Sequence, residues 1–313
     1  MREIVEEEIE QIPSILGDGL LIPNGTMVMY GPPQSKKSFA IQQLMYCIAE
    51  GIPWLGIPVH SKHNTLYVEL EIAAHPFQNR TRKISDYYGS VAKGAFYAHP
   101  YTLIFDDDTA IAELIQHIND HNIEVLFLDP LNLVMAGSEN DDVAVKYFVR
   151  LLNAIRELAD TKPAVGFVHH QSKGMWHDGE YVNRGMVDVS GGKQLASWPD
   201  TICRLAPARK DSTKTILSWE KTRNAGTQGE VWLEFDEEKL VLVKAGDSPE
   251  AAVESLLSMG PISVTEWDKQ LNAFMGLHKA RLLRKELVAS GSAVYKQDPN
   301  DPKRKVIMKK EDA

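Results

Sequence analysis

Apolar residues along this chain gather into short continuous runs that alternate, over roughly the first two thirds, with longer stretches of helical period. Met27 to Tyr30, Thr65 to Leu70, Ile123 to Leu128 and Ala164 to Val168 are runs of the first kind. They are β-branched or aromatic and bounded by polar or turn residues, as buried strands are. AFYAHPYTLIF adds another strand-like piece. Amphipathic helices are expected from Lys37 to a C-terminal cap at Gly51, over HPFQNRTRKISDYYG, over Thr109 to His121 and over Asp142 to Ala159. Past a short helix (Lys193 to Trp198) only turns separate the strands: Thr201–Leu205, Thr215–Trp219, GEVWLEF and KLVLVK. This order predicts an α/β fold over residues 25–245, a doubly wound, mostly parallel sheet with an antiparallel extension.

Two flanking regions differ. Residues 1–24 read as an N-terminal arm that opens with an acidic helix from Glu3 to Ile12, on which Ile4, Val5 and Ile9 make an apolar stripe. From Ser248 onward, SPEAAVESLLSMG predicts one helix and the capping box Ser263-x-x-Glu266 opens a second. LHKARLLRKELVASG predicts a third, and SAVYKQDPNDPKRKVIMKK a two-stranded hairpin. Three short helices and a wing suggest a winged-helix-like domain over 248–313 that binds DNA or a protein partner.

Composition narrows the class. A chain of 313 residues with 43% apolar and 25% charged residues is an ordinary soluble globular protein, with no apolar run of membrane-spanning length. Two cysteines, Cys47 and Cys203, suggest neither a disulfide framework nor a thiolate metal site, and a cytoplasmic location is expected. The net charge of −9 argues against adhesion to nucleic acid over the whole surface. It is uneven, however: Lys269 to Lys310 holds 11 Lys and Arg against 3 Asp and Glu, a basic tail on an acidic body. Lys279, Arg281, Arg284 and Lys285 of the third helix, with Lys303, Arg304 and Lys305 of the wing, are the candidate phosphate contacts.

The densest chemistry lies between the first strand and its helix. Gly31, Lys37 and Ser38 match G-x-x-x-x-G-K-S/T, with Pro32, Pro33, Gln34, Ser35 and Lys36 between. Backbone N–H groups and the helix N-terminus would cradle phosphates, Lys37 would reach the β/γ-phosphates and Ser38 would ligate Mg²⁺. Lys36 stands where this loop normally has glycine, a residue used there for backbone freedom. Downstream, an apolar strand ends at Asp129, which would supply the second Mg²⁺ contact. His60 and His63 read as surface-loop residues.

Gly31 to Ser38, Glu71, Asp129, the strand end VHHQSK, the RGM…SWPD run and EKTRNAGTQG form an ordered set. It resembles the RecA-like hexameric ATPases, closest to the RepA-type replicative helicases of plasmids and phages and more distantly DnaB, over roughly residues 15–245. The resemblance implies an ATP- and Mg²⁺-dependent DNA helicase or translocase. Glu71 would polarise the attacking water, or pair with Arg80 or Arg82 instead. His170 would sense the γ-phosphate; the alternative for His169 and His170 is a metal pair or a pair of packed strand-end histidines. Lys221 and Arg223 would be fingers reaching a neighbouring subunit's site. Ser172 to Gly191, with Lys173, Trp176 and Arg184, would be a DNA-facing pore loop or a lid over the nucleotide. The implied partners are single-stranded DNA, further copies of the chain, most simply as a hexamer, and replication or recombination proteins. A DNA-binding or recombination protein switched by ATP, and a weakly hydrolysing assembly factor, are the alternatives.

Overall fold

The computed structural model describes residues 13–98, 108–135, 137–138, 141–171, 176–177, 180–181, 192–208, 212–245, 253–254, 256–257, 260–275, 277–298 and 301–310. The expected acidic helix over Glu3 to Ile12 lies outside these residues.

One nine-stranded sheet organises the chain, in the order β11-β10-β9-β8-β1-β5-β4-β2-β3. Its parallel part joins β1 (Thr26–Gly31), β2 (Thr65–Glu69), β3 (Ala95–Ala98), β4 (Val125–Asp129), β5 (Ala164–His170) and β8 (Thr201–Pro207). The late strands β9 (Lys214–Thr222), β10 (Val231–Asp236) and β11 (Val241–Lys244) add on antiparallel. The α/β expectation holds: a large, mostly parallel sheet with an antiparallel extension.

Side-chain alternation along the strands sorts the core into two layers. Met27, Met29, Tyr67, Phe127 and Val168 pack under α1 (Lys37–Glu50), against Ile41, Leu44 and Ile48. Val28, Tyr30, Leu66, Leu128 and Phe167 face the other way. There they meet α3 (Asp108–Asp120) and α5 (Asp142–Leu158) through Ile118, Phe148, Leu152 and Ile155. Gly51 closes α1 at φ +64°, its N–H bonding back to Cys47 and Ile48 carbonyls, the cap the sequence predicts. Helix α2 (Ala74–Tyr88) follows β2, and the single turn α4 (Leu131–Val134) follows β4. Helix α6 (Gly192–Ser197) precedes β8, and the short strands β6 (Trp176–His177) and β7 (Glu180–Tyr181) pair with each other.

One expected strand is shorter than its apolar run: β2 stops at Glu69, where its partner β4 stops at Asp129. Strand β3 is described over Ala95–Ala98, and the rest of AFYAHPYTLIF lies outside the described residues. A separate three-stranded sheet, β12 (Ile262–Ser263), β14 (Asp301–Lys309) and β13 (Ala293–Asp298), packs with α7 (Val264–Met275) and α8 (Leu277–Ala289). Trp267, Leu271, Ala280, Ala293 and Ile307 form its core, and Ser263 Oγ accepts from Glu266 N at 3.1 Å, half of the predicted capping box. Among the described residues no helix is long and apolar enough to cross a membrane.

Candidate phosphate-binding site

The site lies at the C-terminal ends of β1, β4 and β5, where doubly wound sheets bind ligands. Gly31 ends β1 with no room for a side chain: a Cβ there would stand 2.0 Å from the Leu205 carbonyl oxygen. Pro32 to Lys36 then turn the chain into α1, with Ser35 N bonding the Pro32 carbonyl at 3.3 Å. Lys36, in the usual glycine position, adopts the conformation glycine would, φ +70° and ψ +21°. Its ammonium points across the loop to the Phe235 ring of β10, 4.6 Å from the centroid. Phe39 leans on Phe235 at 4.8 Å and carries Arg80 of α2 on its other side, 4.2 Å from the centroid.

Lys37 is buried and folds back on its own loop. Its Nζ donates to the carbonyls of Gly31 (3.0 Å) and Pro32 (2.8 Å) and lies 3.4 Å from Ser35 Oγ. Burial pushes its pKa down to about 8, against the pull of Asp129 and Glu71. Across the pocket, Asp129 is buried and its pKa is raised by that burial, opposed by hydrogen bonds from Tyr67 and Ser38 and by the charge of Lys37. Tyr67 donates to Asp129 Oδ2 in a short bond. Glu69, in register with Asp129, has its pKa raised to about 6 by burial and by that neighbouring carboxylate.

A cavity of about 350 Å³ connects these groups, lined by Gln34, Lys37, Ser38, Glu71, Asp129 and His170. Glu71 is exposed, two residues beyond the end of β2. His170 pairs in register with Gly31, and its buried Nδ1 has no hydrogen-bond partner among the described residues. His169 is buried, its ring edge-on to Phe167 at 6.4 Å. A triphosphate with Mg²⁺ fits this donor set. The loop excludes any Cβ at Gly31, the buried Lys37 ammonium lies beside it, and the Ser38 hydroxyl bonds the Asp129 carboxylate. A larger cleft of about 660 Å³, lined by Glu50, Lys62, Lys93 and Glu124 among others, offers mixed charges and no such loop.

The remaining candidates fall elsewhere. Lys221 and Arg223 sit at the opposite edge of the sheet, since Thr222 pairs with Thr201 and Thr201 with Met27. Lys221 Nζ donates to the Ala196 and Ser197 carbonyls at 3.1 and 2.7 Å, and burial lowers its pKa. Arg223 pairs with Asp200 at 3.3 Å and donates to the Ser197 carbonyl. Lys173 and Arg184 lie outside the described residues, and Trp176 is described only as part of β6. Lys285, Arg304 and Lys305 are exposed, and Arg281 binds Asp268 Oδ2 at 3.0 Å while half exposed. Lys279 and Lys303 are described only as members of α8 and β14.

Arg284 departs from the role its sequence position suggests. It is buried, pairs with Asp268, and donates to the Val264 carbonyl and Tyr295 hydroxyl, both at 3.1 Å, so it holds the small domain together and faces no phosphate. Tyr67, Glu69 and the Phe39–Phe235 ring contact are not evident from the sequence. The one signal it carries for them is a carboxylate, Glu69, inside an otherwise apolar run.

A family model described as an AAA domain matches residues 3–175, more than half of the chain. No curated protein matches it.

Proposed function

The chain belongs to the AAA domain family and is a P-loop ATPase, and from that premise we propose that it hydrolyses ATP between subunits while bound to single-stranded DNA, as a ring-forming helicase or translocase. The observation that carries this reading is the separation of the finger candidates from their own loop. Met27, the second residue of β1, and Gly31, its last, are about 13 Å apart at the rise of a parallel strand. Lys221 and Arg223 belong at the Met27 end. As fingers, cations so held would serve a neighbouring copy's phosphates, and this reading therefore includes an oligomer, most simply a hexamer.

Each residue has a task in this scheme. Lys37 exchanges backbone carbonyls for β/γ-phosphate oxygens, and the trade is favourable because an anionic oxygen binds an ammonium more strongly than the neutral carbonyls that now hold it. Ser38 and Asp129 would hold Mg²⁺, which neutralises charge on the β- and γ-phosphates. Glu71 orients the attacking water and takes up its proton. His170 Nδ1 meets the γ-phosphate side and passes its loss to the loop from Ser172 to Gly191. Lys173, Trp176 and Arg184 of that loop contact DNA, and Lys279, Arg281, Lys285, Lys303, Arg304 and Lys305 add a second basic surface. Replication or recombination proteins are the natural further partners.

The test measures phosphate release with and without single-stranded DNA, oligomer mass, and strand displacement from a forked duplex. DNA-stimulated release by an oligomer that displaces strands is expected. A monomeric mass with release indifferent to DNA overturns the reading, and stimulated release without displacement converts it to DNA binding switched by ATP.

A further inference from the structure

Strands β2 and β4 run side by side to their last paired residues, Glu69 and Asp129, and Leu70 N still reaches the Asp129 carbonyl at 3.0 Å. Past that point β4 turns away. The Pro130 carbonyl accepts from Leu133 N at 3.2 Å as α4 begins, so the ladder gives the next amides of the β2 side no acceptor. Glu69 supplies one. Its Oε1 accepts from Glu71 N at 2.8 Å and from Ile72 N at 3.1 Å, making a tight turn at the strand end. Its other oxygen lies 3.5 Å from the Tyr67 hydroxyl, the same hydroxyl that donates to Asp129.

A carboxylate is an expensive choice for this role. Glu69 is 1% exposed and stands in register with a second carboxylate, where burying a charge is costly. What the side chain adds is one oxygen that accepts from two amides at once. Those amides belong to the turn that carries Glu71 into the phosphate cavity. We propose that Glu69 is a positioning residue for the hydrolysis inferred above: it fixes the turn that carries Glu71. The inference rests on that reading for its catalytic part and on the hydrogen bonds alone for its structural part.

Three variants of the full chain test it. Glu69→Ala removes the acceptor; ATP turnover is expected to fall roughly 10–100-fold, as small misplacements of a reacting group do, with nucleotide affinity little changed. Glu69→Gln keeps a carbonyl oxygen for the two amides and should restore most of the turnover, whereas Glu69→Asp withdraws the acceptor by one methylene and should not. Wild-type turnover in Glu69→Ala, or parallel loss of nucleotide affinity and turnover, or Glu69→Gln as slow as Glu69→Ala, overturns the proposal. Hydrogen exchange at the Glu71 and Ile72 amides probes the turn without relying on turnover. Exchange should accelerate in Glu69→Ala and stay slow in Glu69→Gln; unchanged exchange in Glu69→Ala overturns the inference. Wild-type chain that binds nucleotide yet releases no phosphate sinks the ATPase-cycle reading, and the catalytic part of this inference with it.

Discussion

At the residue before α1, Lys36 holds a left-handed backbone that costs an L-residue about 1–2 kcal/mol. Its ammonium over Phe235 returns roughly 0.5–1 kcal/mol. The balance favours glycine by about 0–1.5 kcal/mol, so Lys36→Gly should raise thermal stability slightly and leave ATP hydrolysis equal or faster. Lys37→Ala should cost about 10²–10³-fold in turnover, the range for losing one fixed electrostatic contact in a transition state. If Lys36→Ala proved as damaging as Lys37→Ala, the register of the loop would be wrong. The lowered proton affinity of Lys37 gives a second test. Phosphate oxygens favour the charged amine, so nucleotide binding raises its pKa from about 8. Above that pH, binding must take up a proton and affinity should fall as pH rises, by up to about tenfold per unit. Calorimetry in buffers of different ionisation enthalpy at pH 8.5 reads that uptake directly, and no buffer dependence would count against it. In the nucleotide-free chain the sign reverses. Between pH 8 and 10.5 the unfolded lysine holds more protons than the folded one, so this group's contribution makes stability rise with pH across that window.

The elements show where tertiary structure decides what local pattern cannot. Basic residues on α8 look alike in sequence, yet Arg284 is buried against Asp268 while Lys285 is exposed. The two should therefore fail differently. Arg284→Ala strands a buried carboxylate and should destabilise the small domain by about 3–5 kcal/mol, less whatever Arg281 recovers by its own bond to Asp268. Lys285→Ala should leave stability alone and, if the domain contacts DNA, lower the salt slope of binding by about one unit. Thermal melts and salt titrations of both variants separate the roles; equal melting temperatures would contradict the burial. The same distinction explains what is legible in the sequence. The strands of the parallel sheet and the Gly31–Ser38 loop are visible there because apolar runs and a spaced motif are local signals. The end of β2 is not. The apolar run continues through Leu70, but the strand stops where Asp129 and Pro130 end its partner, a fact about another segment. Glu69 and Tyr67 escape a sequence reading for the same reason, since each acquires meaning only beside Asp129 across the sheet.

At the scale of the whole molecule, the sheet separates two halves of one proposed reaction. The Gly31 end of β1 holds the phosphate loop, Asp129 and His170; the other end holds Arg223, bonded to Asp200 and to the end of α6. The bond to Asp200 leaves the guanidinium about half exposed, available to another partner at modest cost. If that partner is a neighbouring copy's γ-phosphate, Arg223→Ala should leave ATP binding nearly intact and cut turnover strongly, by about 10³–10⁵ where a finger limits chemistry. A ring whose slow step lies elsewhere would lose less. Glu71→Ala should also bind and fail to turn over, through the other half of the site. Mixed together, the two inactive chains generate some interfaces that join an intact Glu71 to an intact Arg223, and activity should reappear. At fixed total protein the rate should therefore pass through a maximum at an intermediate ratio. An Arg223 that merely caps α6 within its own chain predicts little loss from the single substitution and no recovery on mixing. A flat line near zero across the titration, with a monomeric mass for both variants, would end the shared-site reading.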